Sequence, residues 1–273
     1  MIVFPNCKIN LGLHILNKRS DGFHNLETIF YPVPFKEALE IIPEADDTKE
    51  VSFTATGLSI NLAPPDNICV KAYQLLKKDF QDLPSVKIHL HKTIPAGAGL
   101  GGGSADGAFT LLLLNKKFGL QLPEKALEEY ALALGSDCAF FIKNQPCIAF
   151  GRGEILEPVD IDITNCKIII VNPGIHIHTA WAFKQIIPRS KKIPLKEIIK
   201  EPIARWRENL SNDFEIPIFK NHPQIEKIKT SLYEQGAIYA SMTGSGSTVY
   251  GFFPKDSSPT LHFPKHYFIK IIE

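Results

Sequence analysis

Residues 95–108 read PAGAGLGGGSADGA, with six glycines, no Lys or Arg and one acidic residue. A stretch so poor in side chains offers a ligand mainly backbone N–H groups, and these suit a polyanion such as a phosphate chain. Glycine loses more backbone freedom on ordering than other residues, so this density implies a purpose. A flexible loop is the plain alternative, yet flexible linkers are usually Ser-rich and polar. This stretch is instead wedged between strand-like VKIHLH (86–91) and the apolar run AFTLLLL (108–114).

The familiar glycine-rich motifs do not account for it. Gly97, Gly99 and Gly102 fit G-x-G-x-x-G, but that fingerprint wants an acidic residue on a second strand about 20 residues later. The chain there reads GLQLPEKALEE, a turn opening another helix. No Lys-Ser or Lys-Thr follows the glycines, which removes the P-loop, and HRD and DFG triplets are absent. What remains is a glycine loop followed by Ser104 as the expected cap of a buried helix over 104–118.

The surrounding chain has ordinary globular composition. It has 273 residues, 44% apolar and 22% charged, with a net charge of +1, so neither a nucleic-acid surface nor a charged membrane anchor is expected. Five scattered cysteines without a CxxC pair suggest reduced thiols. The N-terminal apolar run is too short for a signal peptide, and no run approaches about 18 apolar residues. A cytoplasmic protein is expected.

Strands are expected over 7–16, 26–32, 38–42, 86–91, 166–171, 237–242 and 248–253. Helices are expected from 66 to 80 with Asp66 as N-cap, over 104–118, 123–134, 179–187, 195–210 and 223–235. A boundary near 155–175 divides the chain into 1–160 and 161–273, an α+β pair of lobes with the glycine loop facing the cleft.

Three further positions carry potential chemistry. Lys8 stands alone in the uncharged strand CKINLGLHIL, either an edge residue or a cation aimed into a cleft. Asp137, in LGSDCAFFI, either caps the next helix or is a carboxylate able to take a proton from a hydroxyl. MTGSGSTVY (242–250) is either a hairpin turn or a second anion nest. His176 and His178, and His89 and His91, form pairs without a third ligand at suitable spacing, so no metal site is assigned.

In chain order, the Lys8 block, PAGAGLGGGSADGA and MTGSGSTVYGFF resemble the GHMP kinase superfamily of small-molecule kinases. The N-terminal stretch CKINLGLHILNKRSDGFHNLETIF, with GSDCAFF and NDFE (212–215), is similar to the branch that phosphorylates a cytidine diphosphate-linked methylerythritol. The resemblance runs nearly end to end. It implies a two-lobed α+β fold, an N-terminal ATP-binding lobe and a C-terminal α/β lobe. It also implies ATP and Mg²⁺ as cofactors, a small-molecule acceptor, and a monomer or weak homodimer. A related kinase for another alcohol, such as homoserine or mevalonate, is the alternative, though it should lack the DGFH block.

Residue by residue, the resemblance makes Asp137 the catalytic base and Lys8 its partner. Pro95, Ala96, Gly97, Ala98, Gly99, Leu100, Gly101, Gly102, Gly103 and Ser104 would hold the triphosphate, with Asn67 and Lys92 near the adenine nucleoside. Phe23 and His24 would engage the cytidine end and Asn10 the erythritol. Gly244, Ser245 and Gly246 would contact the diphosphate-bearing substrate, as a nest separate from the first. Gly107 stands where Ala is usual, and Phe23 where Tyr is frequent.

Overall fold

The computed structural model describes residues 1–44, 49–60, 63–189 and 193–273. By contacts the chain divides into two discontinuous units. The first comprises Met1–Cys7, Pro32–Ala96 and Gly101–Gln145; the second comprises Lys8–Tyr31, Gly97–Leu100 and Pro146–Glu273. The sequence reading instead divides the chain once, near 155–175. The difference arises because two long strands and the glycine loop each contribute residues to both units.

The opening strands are β1 (Ile2–Val3), β2 (Asn6–Lys18) and β3 (His24–Lys36). Beyond them, the first unit continues through β4 (Ala38–Pro43), β5 (Val51–Gly57), α1 (Ile68–Asp79), β6 (Val86–Lys92), α2 (Gly102–Phe118), α3 (Glu124–Leu134) and α4 (Phe140–Lys143). Its sheet has the order β1-β4-β6-β5, with β5 parallel to β6 and the other pairs antiparallel. Strand β6 alternates as expected: Val86, Ile88, Leu90 and Lys92 are buried, whereas Lys87 and His91 face outward.

Helix α2 begins two residues before the expected position. Gly101 is its N-cap, with φ +70°, and no side chain caps the first turn. Ser104 is therefore inside the helix, not at its cap. The left-handed backbone at Gly101 lets the helix start early, a conformation glycine adopts without a Cβ penalty. The far end is conventional: Gly119 closes the helix in the left-handed region, with Lys116 and Lys117 in the last turn complementing the dipole.

Helix α1 is capped by Asn67, whose carboxamide oxygen accepts from the Cys69 amide at 2.9 Å, while Asp66 ends a 3₁₀ turn. Gly107 has a packing role: a Cβ there would lie 2.8 Å from Ile68 Cγ1 of α1. Its cost in helix propensity is offset by that close approach.

The second unit adds β7 (Cys147–Gly151), β8 (Ile155–Pro158), β9 (Cys166–Asn172), α5 (Thr179–Lys184), α6 (Leu195–Ile198), α7 (Ile203–Asn209), α8 (Glu215–Asn221) and α9 (Pro223–Glu234). It ends with β10 (Tyr239–Met242), β11 (Val249–Pro254) and β12 (Phe268–Ile272). One sheet runs β2-β3-β7-β8 and the other β10-β11-β9-β12. The isoleucine run of β9 is buried between β11 and β12, as a continuous β-branched run predicts. Ile169, Val171, Ile225, Ile228, Leu232 and Met242 belong to its core. The single helix expected over 195–210 is two short ones, because Pro202 cannot continue the first and caps the second.

Candidate active site

In the second unit, β2 places Lys8 and Asn10 two residues apart, and both are almost wholly buried. Lys8 is therefore not a surface residue. Its ammonium donates to Asn10 Oδ1 at 2.7 Å and lies 4.7 Å from the centroid of the Phe30 ring. Asn10 Nδ2 donates to Thr28 Oγ1 at 2.9 Å, and Thr28 donates onward to the Gly12 carbonyl at 2.6 Å. These partners fix which way the Asn10 amide faces: oxygen toward the cation, nitrogen toward the hydroxyl. Such an arrangement presents an oriented, partly desolvated cation.

The central glycines of the loop belong to the same unit. The Lys8 amide donates to the Leu100 carbonyl at 2.9 Å, and the Thr248 amide to the Ala98 carbonyl at 3.3 Å. Gly97 and Gly99 have φ +64° and +80°. A Cβ on Gly97 would lie 3.2 Å from His176 Nδ1. A Cβ on Gly99 would lie 2.2 Å from the Thr243 carbonyl oxygen, and one on Gly244 would lie 3.2 Å from Gly99 Cα. The two glycine segments are thus packed backbone to backbone, not held apart as separate nests. At Gly99 the main chains approach too closely for any side chain, and at Gly244 a tight contact is joined by a left-handed φ of +57°.

The 242–247 segment is also braced from behind. Asn212 Nδ2 donates to the carbonyls of Met242 and Gly244, both at 2.8 Å. Glu215 Oε1 accepts from the Met242 amide at 2.9 Å and from Ser241 Oγ at 3.0 Å, while Oε2 accepts from Lys229 at 2.7 Å. Ser245 Oγ lies 3.1 Å from Thr179 Oγ1.

An aromatic cluster lies in this unit as well. The His24 ring stacks on Phe183, with centroids 5.1 Å apart and planes at 19°. Phe23 is more than half exposed, and the Arg152 guanidinium sits 4.8 Å from its ring centroid. Partial burial and then the Lys18 charge lower the His24 pKa, favouring a neutral ring. Phe183 and Arg152 were not singled out by sequence reasoning. The available signal is an aromatic residue in the short helical pattern expected over 179–187.

The first unit holds the remaining candidates. Asp137 lies in the turn between α3 and α4 and is partly exposed. Ala139, not Asp137, is the N-cap of α4. The neighbouring Cys138 thiol is pushed up to about 12 by burial, although a hydrogen bond with Ser104 opposes the shift. The first turn of α2 and the Asp137 turn are thereby tied together.

Lys92 is buried and donates to Glu37 Oε1 at 2.6 Å and Asp106 Oδ2 at 2.7 Å. These are internal carboxylates, not a surface open to a nucleoside. One cation serves two carboxylates, so burial and their mutual repulsion raise Glu37 to about 7, and burial raises Asp106 to about 6. Burial opposes the charge of Lys92, but the two carboxylates together hold its pKa above the ordinary value. Asp106 Oδ1 is buried and finds no hydrogen-bond partner among the described residues.

Pro95 and Ala96 close the first unit's central segment, and Gly101, Gly102, Gly103 and Ser104 open its last. The uncapped start of α2 leaves amide groups without intrahelical acceptors, which fits a phosphate chain as ligand. Among the described residues, no group of three His, Cys, Asp or Glu is placed to hold a metal ion, and no helix is long and apolar enough to cross a membrane.

The model of the GHMP kinases N terminal domain matches residues 67–152, and that of the GHMP kinases C terminal matches 195–261. A 4-diphosphocytidyl-2-C-methyl-D-erythritol kinase of Bacteroides fragilis is 52% identical over 260 residues, covering 95% of this chain and 94% of the relative. One of Chlorobium phaeobacteroides is 38% identical over 96% of this chain and 92% of its own. The crystal structure of a 4-(cytidine 5'-diphospho)-2C-methyl-D-erythritol kinase superposes with a TM-score of 0.80 at 28% identity, covering 92% of this chain and 89% of that one. A mevalonate kinase, at 15% identity and a TM-score of 0.69 over 94% of this chain and 92% of its own, shares the fold.

Proposed function

This chain belongs to the GHMP kinase family of ATP-dependent small-molecule kinases, and we propose that it phosphorylates 4-diphosphocytidyl-2-C-methyl-D-erythritol. The acceptor is the 2-hydroxyl, and the products are the 2-phosphate and ADP, a step toward isoprenoid precursors by the non-mevalonate route. The observation that carries the substrate assignment is the stacked His24–Phe183 pair beside the exposed Phe23. Flat rings presented this way suit a nucleobase, whose π-face stacks at about 1–3 kcal/mol per base. Five buried free cysteines accord with a cytoplasmic setting.

Asp137 accepts the proton of the acceptor hydroxyl as its oxygen bonds to the γ-phosphorus and the bond to the β–γ bridging oxygen breaks. The Lys8 ammonium, oriented by Asn10, stabilises charge developing at the acceptor oxygen. Amides of Gly97 to Ser104, together with the α2 dipole, hold the triphosphate. Mg²⁺, which the family implies, would be held mainly by the substrate phosphates and would neutralise their charge. Gly244, Ser245 and Gly246 contact the acceptor side. Asn67 shapes the nucleoside pocket by capping α1, and Lys92 acts through Asp106 on α2. Transfer of this kind needs positioning and charge stabilisation more than covalent help.

A coupled ADP-release assay over three alcohols tests the assignment. Turnover is expected with 4-diphosphocytidyl-2-C-methyl-D-erythritol and not with homoserine or mevalonate. Preference for either of the latter would overturn the substrate.

A further inference from the structure

The Thr243 hydroxyl stands where three parts of the second unit meet. It accepts from the Asn10 backbone amide at 3.0 Å. Its proton is shared between the Gly99 carbonyl at 3.0 Å and Asn10 Oδ1 at 3.1 Å. Asn10 Oδ1 is the same atom that receives the Lys8 ammonium at 2.7 Å. One oxygen therefore touches the glycine loop and the residue that aims the lysine, while its own backbone belongs to the segment packed on Gly99. Thr243 has no solvent exposure, so water cannot replace these bonds without repacking.

Other bonds to Asn10 leave this one a distinct task. Thr28 fixes the carboxamide nitrogen, and the Tyr250 hydroxyl donates to the Asn10 carbonyl at 2.8 Å. Thr243 alone among these partners also reaches the loop, through Gly99. Loss of its hydroxyl leaves the apolar contacts and the Lys8 amide–Leu100 bond in place but removes the side-chain tie between Asn10 and Gly99.

We propose that Thr243 is a positioning residue for phosphoryl transfer: its hydroxyl holds Asn10, and through it Lys8, in register with the loop at Gly99. This rests on the reading of Lys8 and the glycine loop as parts of one kinase site. Its expected effect is on the chemical step, because the hydroxyl is fully buried and acts through Asn10 and the loop rather than at either substrate.

The test compares Thr243→Val, which keeps the shape and loses the hydroxyl, with Thr243→Ser, which keeps the hydroxyl. Each is assayed by ADP release with whichever alcohol the wild type turns over, alongside a thermal melt. For Thr243→Val, kcat is expected to fall about 10- to 100-fold, with both KM values within about threefold. Thr243→Ser should return kcat to within about threefold of wild type. A Val variant with near-normal kcat overturns the proposal, as does a folded Ser variant as slow as Val. So does a loss in Val explained by its unfolded fraction. Failure of the substrate assignment has a different signature: the wild type prefers homoserine or mevalonate, and the Thr243 comparison is then read on that alcohol. A wild type inert toward all three overturns both.

Discussion

A methyl group on Gly99 would stand 2.2 Å from the carbonyl oxygen of Thr243, 144 residues along the chain. The first glycine segment is thus shaped by the second as well as by any phosphate. Gly99→Ala must overcome both this clash and a φ of +80°, which alone costs an L-residue about 1–2 kcal/mol. The expected outcome is a lower melting temperature together with loss of most kinase activity. Gly103→Ala is the control, since a Cβ there meets nothing within 4 Å. Its melting temperature should stay close to wild type.

Removal of the proposed base separates chemistry from binding. Asp137→Asn should lower kcat by several orders of magnitude while ATP affinity, measured by calorimetry, stays within a few fold. Near-normal turnover in this variant would mean that another group takes the proton.

The stacked ring pair predicts a substrate-specific effect. His24→Ala or Phe183→Ala should raise KM for the cytidyl substrate about 5- to 100-fold, the range expected from losing one base–aromatic stack. KM for ATP should not move. Equal losses for both substrates would show that the rings support the fold and not the cytosine.

Stability should depend on pH through the buried Glu37–Lys92–Asp106 cluster. Glu37 and Asp106 are raised in the folded protein to about 7 and about 6, so the native state binds protons more tightly than the unfolded chain. Their contribution is fully present below the ordinary carboxylate range, and is lost as pH rises through those folded values. Urea unfolding between pH 5 and 8 should show stability falling as pH rises. Glu37→Gln leaves one carboxylate for one cation, and its stability should vary less over the same interval. An unchanged slope would show that the cluster does not govern this range.

Much of the fold was legible in local pattern. The alternation of VKIHLH, the β-branched run CKIIIV and the apolar density of AFTLLLL each gave the right element, because burial constrains them whatever their distant neighbours. Boundaries were less secure where backbone chemistry decided them. A left-handed Gly101 moved the start of α2, and Pro202 broke one expected helix into two. The edge strands β5, β8 and β12 went unread, being short or exposed segments whose pairing partners supply their structure.

What the sequence by itself determined was the family, through three motifs whose order and spacing survive without coordinates, and hence the expectation of a phosphate loop served by a lysine and an aspartate. The tertiary structure decided which groups serve those motifs. Lys8 is oriented by Asn10 two residues away, but Asn10 is held by Thr28 and Thr243, and the latter is 233 residues distant. Lys92 is drawn to Glu37 and Asp106, and His24 finds Phe183. A motif records what a backbone segment can do locally. The partner of a buried polar group is set by long-range packing, which leaves no periodic trace in the chain.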